Sequence, residues 1–228
     1  MASVPGTATE APVARTDGPR VLGDLAPLAR LKDPSASAVR VRRTVPLPLT
    51  RALAAWVTAE PASVDRFLHA NAPVPDDLFA GIALPKPAVD ALLSDVRALV
   101  AVLLEHASLP YVRVVFEAVR DDKCRKFHAD YVHLRFATSY LGPGTEWRPG
   151  GAEDGLVVRL KPGDVLAMKG ALFVGNDGAP IGADRPGAGV RARERRLGAV
   201  ELAGLLGGGA DREVRAGDQR RVGEVLGE

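Results

Sequence analysis

The strongest chemical feature of the chain is a histidine and an aspartate one residue apart, His128 and Asp130, in the run CRKFHADYVHLRF. On an extended backbone residues i and i+2 project to the same side. The imidazole and the carboxylate can therefore meet at one point. That is two thirds of a facial set of two histidines and a carboxylate, which holds a metal and leaves positions open for other ligands. The alternative is an ordinary hydrogen-bonded His–Asp pair. His133 is the nearest further imidazole, but an odd number of residues separates it from His128. On an unbroken strand it faces the other way and joins only if the chain kinks. Cys124, the only cysteine, can approach from earlier in the stretch. A thiolate beside an imidazole would favour zinc or copper over iron, whereas a lone cysteine is otherwise a small buried apolar residue.

The same stretch ends in GPGTEW, residues 142–147. Gly–Pro–Gly forces a tight turn that holds Thr145, Glu146 and Trp147 at the mouth of a sheet. Glu146 is then a general base or substrate contact and Trp147 a stacking wall, or both are an exposed turn residue and an edge-packing ring. Arg135 shares its strand face with His133, Ala137 and Ser139. Inside a sheet sandwich it would need an anion, such as a substrate carboxylate; on an outward face it is solvated. Lys169 either binds an acid or is a surface lysine. His69 and His106 fall in the N-terminal half, in segments expected to be helical, as cap or surface residues.

The elements that must position these residues are legible in outline. Residues 1–19, rich in Ala, Pro, Thr and Gly, form a disordered lead. Residues 21–31 make a short amphipathic element, and 37–45 alternate as a strand. Pro46 and Pro48 follow, then a helix from TRALAAWVTAE with Thr50 as its N-cap, and a second short helix from PASVDRFLHANA. Residues 87–107 carry apolar side chains at helical spacing with Pro87 in the first turn. Beyond Pro110, YVRVVFEAV and VHLRFATSYL are β-branched and aromatic with period two. GLVVRL and DVLAMKG are short strands joined by the turn KPGD, and RERRLGAVEL is the last strand. The expected class is α+β: a β-rich half (111–202) buttressed by a helical half (46–107) in one domain over 20–206, with a flexible tail over 207–228.

Bulk properties narrow the function. Net charge is +2 from 30 basic and 28 acidic residues, so no global field points to nucleic acid. One cysteine excludes an internal disulfide framework and fits a reducing compartment. There is no secretory h-region and no apolar run of membrane-spanning length, so a cytoplasmic location is expected. No G-x-S-x-G elbow, zinc-finger cysteine pair or dinucleotide-binding glycine motif is present.

A His-x-Asp entering a strand, then a Gly-rich turn, then a Pro-Gly-Asp turn between short strands follows the layout of jelly-roll oxygenases. There a distal histidine lies on a late strand, and an arginine about ten residues further on binds the carboxylate of 2-oxoglutarate. Arg195 and Arg196 stand where that arginine would be, and a guanidinium suits the task. The distal histidine is missing. From VRVVFEAVRDDKCRKFHADYVHLRFATSYLGPGTEW through PGDVLAMKGALFVGND to ERRLGAVEL, the chain resembles the bacterial family known as domain of unknown function 1826. The resemblance picks out Cys124, His128, Asp130, Arg135, Tyr140, Gly142, Thr145, Glu146, Trp147 and Lys169. Family members carry a histidine where this chain has Ala183, which leaves Asp184, water or nothing as the third ligand. The expectation is a double-stranded β-helix, cupin-like, buttressed by N-terminal helices. His128 and Asp130 would hold Fe(II), Arg195 or Arg196 a 2-oxoglutarate carboxylate, and Arg135, Tyr140 and Glu146 would act catalytically. Thr145, Trp147 and Lys169 would meet a small-molecule substrate. A metal-handling protein using zinc or copper, or a pseudo-enzyme kept as a binding module, is the alternative.

Overall fold

A computed structural model describes residues 22–59, 62–119, 130–148, 156–173, 191–193 and 197–205. Among them are a 3-10 helix (Ala26–Lys32), helices α1 (Leu47–Thr58) and α2 (Lys86–His106), and nine strands. The strands are β1 (Ala38–Val41), β2 (Val64–His69), β3 (Tyr111–Glu117), β4 (Leu134–Leu141), β5 (Glu146–Arg148), β6 (Val158–Arg159), β7 (Val165–Lys169), β8 (Arg191–Arg193) and β9 (Leu197–Leu205). They form two antiparallel sheets, a large one in the order β1-β7-β4-β9-β3-β2 and a small one in the order β6-β5-β8.

One face of the large sheet packs on the helices. Val112, Val114 and Phe116 alternate along β3 and are completely buried, as a period of two on a half-covered strand dictates. Leu92, Val96, Leu99 and Leu103 bury one stripe of α2 in the same core. Each such side chain contributes about 1.5–3 kcal/mol on burial. Pro87 stands in the first turn of α2, where its missing N–H costs nothing. Trp56 of α1 stacks on Phe116 with ring centroids 4.7 Å apart. No helix among the described residues is long and apolar enough to cross a membrane.

A polar network lies inside this core. Arg43, just beyond β1, donates from Nη1 to Asp95 Oδ1 of α2 at 2.6 Å and from Nε to the Gly163 carbonyl at 2.9 Å. Tyr140 of β4 donates to Asp95 Oδ2 at 2.5 Å. Burial first, then the Asp95 charge and hydrogen bond, push the Tyr140 phenol well above its usual pKa, against the opposing pull of Arg43. A buried arginine and aspartate survive here because each is charge-compensated and multiply hydrogen-bonded.

Several sequence expectations give way. PASVDRFLHANA is not a helix: Val64 and Leu68 are buried at a spacing that suits either structure, and six residues pair in full register with β3 as an edge strand. Arg113, directly across from Phe67, lies over its ring at 5.7 Å and donates Nε to Asp65 Oδ1 at 2.9 Å. His69 therefore ends a strand, packed on Tyr111, rather than lying on a helix. Thr50 lies inside α1, whose N-cap is Pro46; its hydroxyl donates to the Pro46 carbonyl at 3.3 Å. The N-terminal half is not simply helical, since β1 and β2 form the two edges of the large sheet.

The turn KPGD also does more than close a hairpin. β6 belongs to the small sheet and β7 to the large one, so residues 160–164 carry the chain between sheets. Asp164 Oδ2 accepts from the Lys161 backbone N–H at 2.8 Å and from Arg40 Nη2 at 2.5 Å, which closes the turn and ties it to β1. Gly163 has φ of 91°, and a Cβ there would stand 2.8 Å from the Arg43 carbonyl oxygen, so only glycine fits.

Candidate functional site

The second face of the large sheet looks toward the small sheet. Arg135, Ala137 and Ser139 of β4 lie on it by alternation, opposite in register to Met168, Leu166 and the backbone of Ala199. Ala137, Leu160, Leu166 and Met168 make a second apolar cluster, with Ala38 and Trp147 packed against it. β4 is consequently buried on both faces from Leu134 to Tyr140.

Arg135 and Asp130 meet at the head of β4, where Arg135 Nη1 donates to Asp130 Oδ2. The guanidinium is almost wholly buried and the carboxylate is partly open, at 6% and 22% exposure. An ion pair of this burial is worth more than a surface one, because little water screens it. The backbone around Asp130 is braced from the end of β7. Gly170, Ala171 and Leu172 donate their N–H groups to the carbonyls of His133, Asp130 and Val132 at 3.0, 2.9 and 3.1 Å. Gly170 has no room for a side chain, since a Cβ would press into the Val132 carbonyl. The sequence signal for this brace was the Lys-Gly pair ending DVLAMKG.

The other candidates divide by face. Trp147 turns inward onto the second apolar cluster, and its buried Nε1 has no hydrogen-bond partner among the described residues. The Ser139 hydroxyl, buried on the same layer, likewise has none. Ser139 was noted in the sequence only as a residue on the face of Arg135. Glu146 lies one residue from Trp147, hence on the opposite face of β5, buried and paired with Arg159 across the β5–β6 register. Thr145 is buried in the preceding turn, its carbonyl accepting from Leu160 N–H at 3.0 Å. His133 is half-buried; desolvation lowers its pKa below 6.5, and Nδ1 has no partner among the described residues.

Tyr140 and Lys169 are not brought to the inter-sheet layer. Both lie on the helix-facing side of the large sheet, at even-numbered and odd-numbered positions of β4 and β7 that oppose the layer-facing residues. Tyr140 holds Asp95, as described. Lys169 Nζ donates to the Asp33 carbonyl at 2.8 Å and sits 4.8 Å from the Phe173 ring centre. Burial pulls its pKa below 10.5, opposed by the Asp33 charge. Their strand positions relative to Arg135 already separate them from its face. Cys124, His128, Asp184, Arg195 and Arg196 lie outside the described residues, as does Ala183.

Among the described residues no three His, Cys, Asp or Glu side chains gather at one point. The described part of the expected metal centre is Asp130. A ligating carboxylate is commonly itself hydrogen-bonded, which fixes its orientation, and Arg135 does this for Asp130. Carboxylate oxygen with imidazole from His128 is a donor set that suits non-haem iron. The chemistry of the residues fits such an ion.

A family model described as "Protein of unknown function (DUF1826)" matches residues 23–186. The chain belongs to that family. No curated protein matches the chain. Among solved structures, the rice dioxygenase for auxin oxidation is similar at 16% identity and a TM-score of 0.47, covering 78% of this chain and 77% of its own. Dioxygenase for auxin oxidation 1 from Arabidopsis thaliana, bound to 2-oxoglutarate, has 11% identity and a TM-score of 0.45 over 82% of this chain and 90% of its own. A Pseudomonas putida prolyl-4-hydroxylase has 12% identity and a TM-score of 0.44 over 80% and 98%. All three scores are under one half, so none of these likenesses assigns a role to a residue here.

Proposed function

We propose that this chain is a non-haem metal-dependent oxygenase-like enzyme acting on a small molecule, built on a double-stranded β-helix. The topology supports that fold: the chain passes from the large sheet to the small one between β4 and β5 and returns between β6 and β7. The observation that carries the functional reading is the Asp130–Arg135 pair, held at the head of a doubly buried strand beside the layer between the sheets.

His128 and Asp130 would hold Fe(II), and Arg195 or Arg196 would bind the carboxylate of 2-oxoglutarate. When bound, the ion would supply a redox centre for oxygen chemistry. Arg135 orients the Asp130 carboxylate and offsets its charge, and the 170–172 backbone fixes the segment on which Asp130 stands. Ala38, Ala137, Leu166, Met168 and Trp147 form an apolar patch in the layer between the sheets. Burial disfavours the charged form of His133.

A binding module without metal is the second reading. It is favoured by Ala183 at the position where the resemblance places the family's histidine. The two readings separate in one assay. Succinate formation from 2-oxoglutarate is measured with Fe(II) and oxygen, even without a substrate, for the wild type, His128→Ala and Asp130→Ala. Iron-dependent turnover that disappears in both variants supports the enzyme. Absence of turnover, or equal turnover in all three, supports the binding module.

A further inference from the structure

Two uncharged side chains of the inter-sheet layer, Ser139 and Trp147, carry buried hydrogen-bond donors without a partner among the described residues. Ser139 is 1% exposed, stands two residues from Ala137 on the same face of β4, and its Oγ has no partner among the described residues. Trp147 comes from the facing sheet, packs on the cluster that contains Ala137, and its Nε1 is buried without a partner among the described residues. A buried donor left unmade costs about 1–3 kcal/mol, and two in one layer from two different sheets mark a place where an acceptor belongs. Ser139 stands toward the end of β4 that leads into the short turn at 142–145, Trp147 follows that turn in β5, and Asp130 precedes the opposite end of β4.

The surroundings determine the acceptor. Ala38, Ala137, Leu166 and Met168 are apolar, two of them small and one an adaptable thioether. Arg40, on the same face as Ala38, is bound to Asp164, and Arg135, on the same face of β4 as Ala137 and Ser139, is bound to Asp130. Two neutral donors suit one oxygen with two lone pairs, whereas a carboxylate brought there would bury a charge without a matching cation. We propose that Ser139 Oγ and Trp147 Nε1 form a subsite for a neutral carbonyl oxygen on an otherwise apolar, narrow ligand. This subsite gives the substrate a direction: carbonyl toward the β4–β5 turn, remainder toward Asp130. It takes from the proposed function only that the inter-sheet layer receives the ligand.

The test needs no metal, so its failure is distinct from failure of the metal reading. The chain has two tryptophans, and the full-length protein therefore gives two indole N–H signals in a proton–nitrogen NMR spectrum. Trp147→Phe identifies the signal of interest. Acetophenone, ethylbenzene and benzoate are titrated as matched probes with a carbonyl, no acceptor and a charged acceptor. The expected result is a saturable downfield shift of the Trp147 signal with acetophenone alone, weakened about tenfold by Ser139→Ala. Ser139→Ala should also leave the unfolding temperature at or above that of the wild type, since it deletes an unpartnered hydroxyl. A Trp147 signal that acetophenone does not move, that ethylbenzene or benzoate moves as far downfield, or that responds unchanged in Ser139→Ala would overturn the proposal.

Discussion

Replacing Gly170 with alanine puts a methyl group where the chain has no space for one. The new Cβ would overlap the Val132 carbonyl oxygen and stand 2.8 Å from its carbon and 2.9 Å from Val132 Cγ2. Most of these atoms are backbone, so they cannot swing aside as the end of a long side chain would. The two segments must part. Three hydrogen bonds span them, from the N–H groups of Gly170, Ala171 and Leu172 to the carbonyls of His133, Asp130 and Val132. Each contributes about 0.5–1.5 kcal/mol net, so losing all three costs about 1.5–4.5 kcal/mol. That is a large fraction of a total stability of about 5–15 kcal/mol. Gly81 is the control: its φ is 84°, but nothing lies within 4 Å of an added Cβ, so Gly81→Ala bears only the backbone cost of about 1–2 kcal/mol. Urea unfolding of both variants, with unchanged m-values, and amide exchange at Ala171 and Leu172 provide the assay. Gly170→Ala should lose about twice as much stability as Gly81→Ala and exchange faster at both amides. Equal losses with unchanged exchange would refute the brace around Asp130.

Three further outcomes follow from the buried network. Asp95→Ala leaves the Arg43 guanidinium buried and uncompensated, and should cost about 3–5 kcal/mol in urea unfolding. Tyr140→Phe removes one hydrogen bond to a charged group while keeping the ion pair, and should cost about 1.5–3 kcal/mol. The Tyr140 phenol is raised above 10.0 in the fold, so its contribution is complete below pH 10 and is lost as the pH rises beyond it. Ultraviolet alkaline titration of the three tyrosines should therefore show one that ionises only as the protein unfolds, absent in Tyr140→Phe.

The elements that sequence placed well were those with an uninterrupted period. β3 and α2 bury Val112, Val114 and Phe116, and Leu92, Val96, Leu99 and Leu103, at spacings that only one structure satisfies. β2 was misread because Val64 and Leu68 are four apart, and only pairing with β3 decides between strand and helix. The passage of the chain between sheets at 160–164 depends on partners far along the sequence, so the KPGD turn looks like a hairpin locally. The Arg43–Asp95–Tyr140 network was missed, yet it left traces. Arg43 continues the buried alternation of Val39 and Val41, and Asp95 stands on the apolar stripe of α2. A charge at a core position is a signal that a partner exists, though not which one. At the candidate site, the parity of Arg135 with Ser139 was readable and that of Tyr140 and Lys169 was readable but not used. That Asp130 is gripped by Arg135 needed the three-dimensional fold.

The central claim is that Asp130 belongs to a metal centre. The most direct measurement is elemental analysis of the full chain, purified without chelator or affinity-tag histidines and reconstituted anaerobically, beside Asp130→Ala. The account predicts close to one iron per chain in the wild type and none in the variant. No metal in either protein, or metal that persists undiminished in Asp130→Ala, would contradict it.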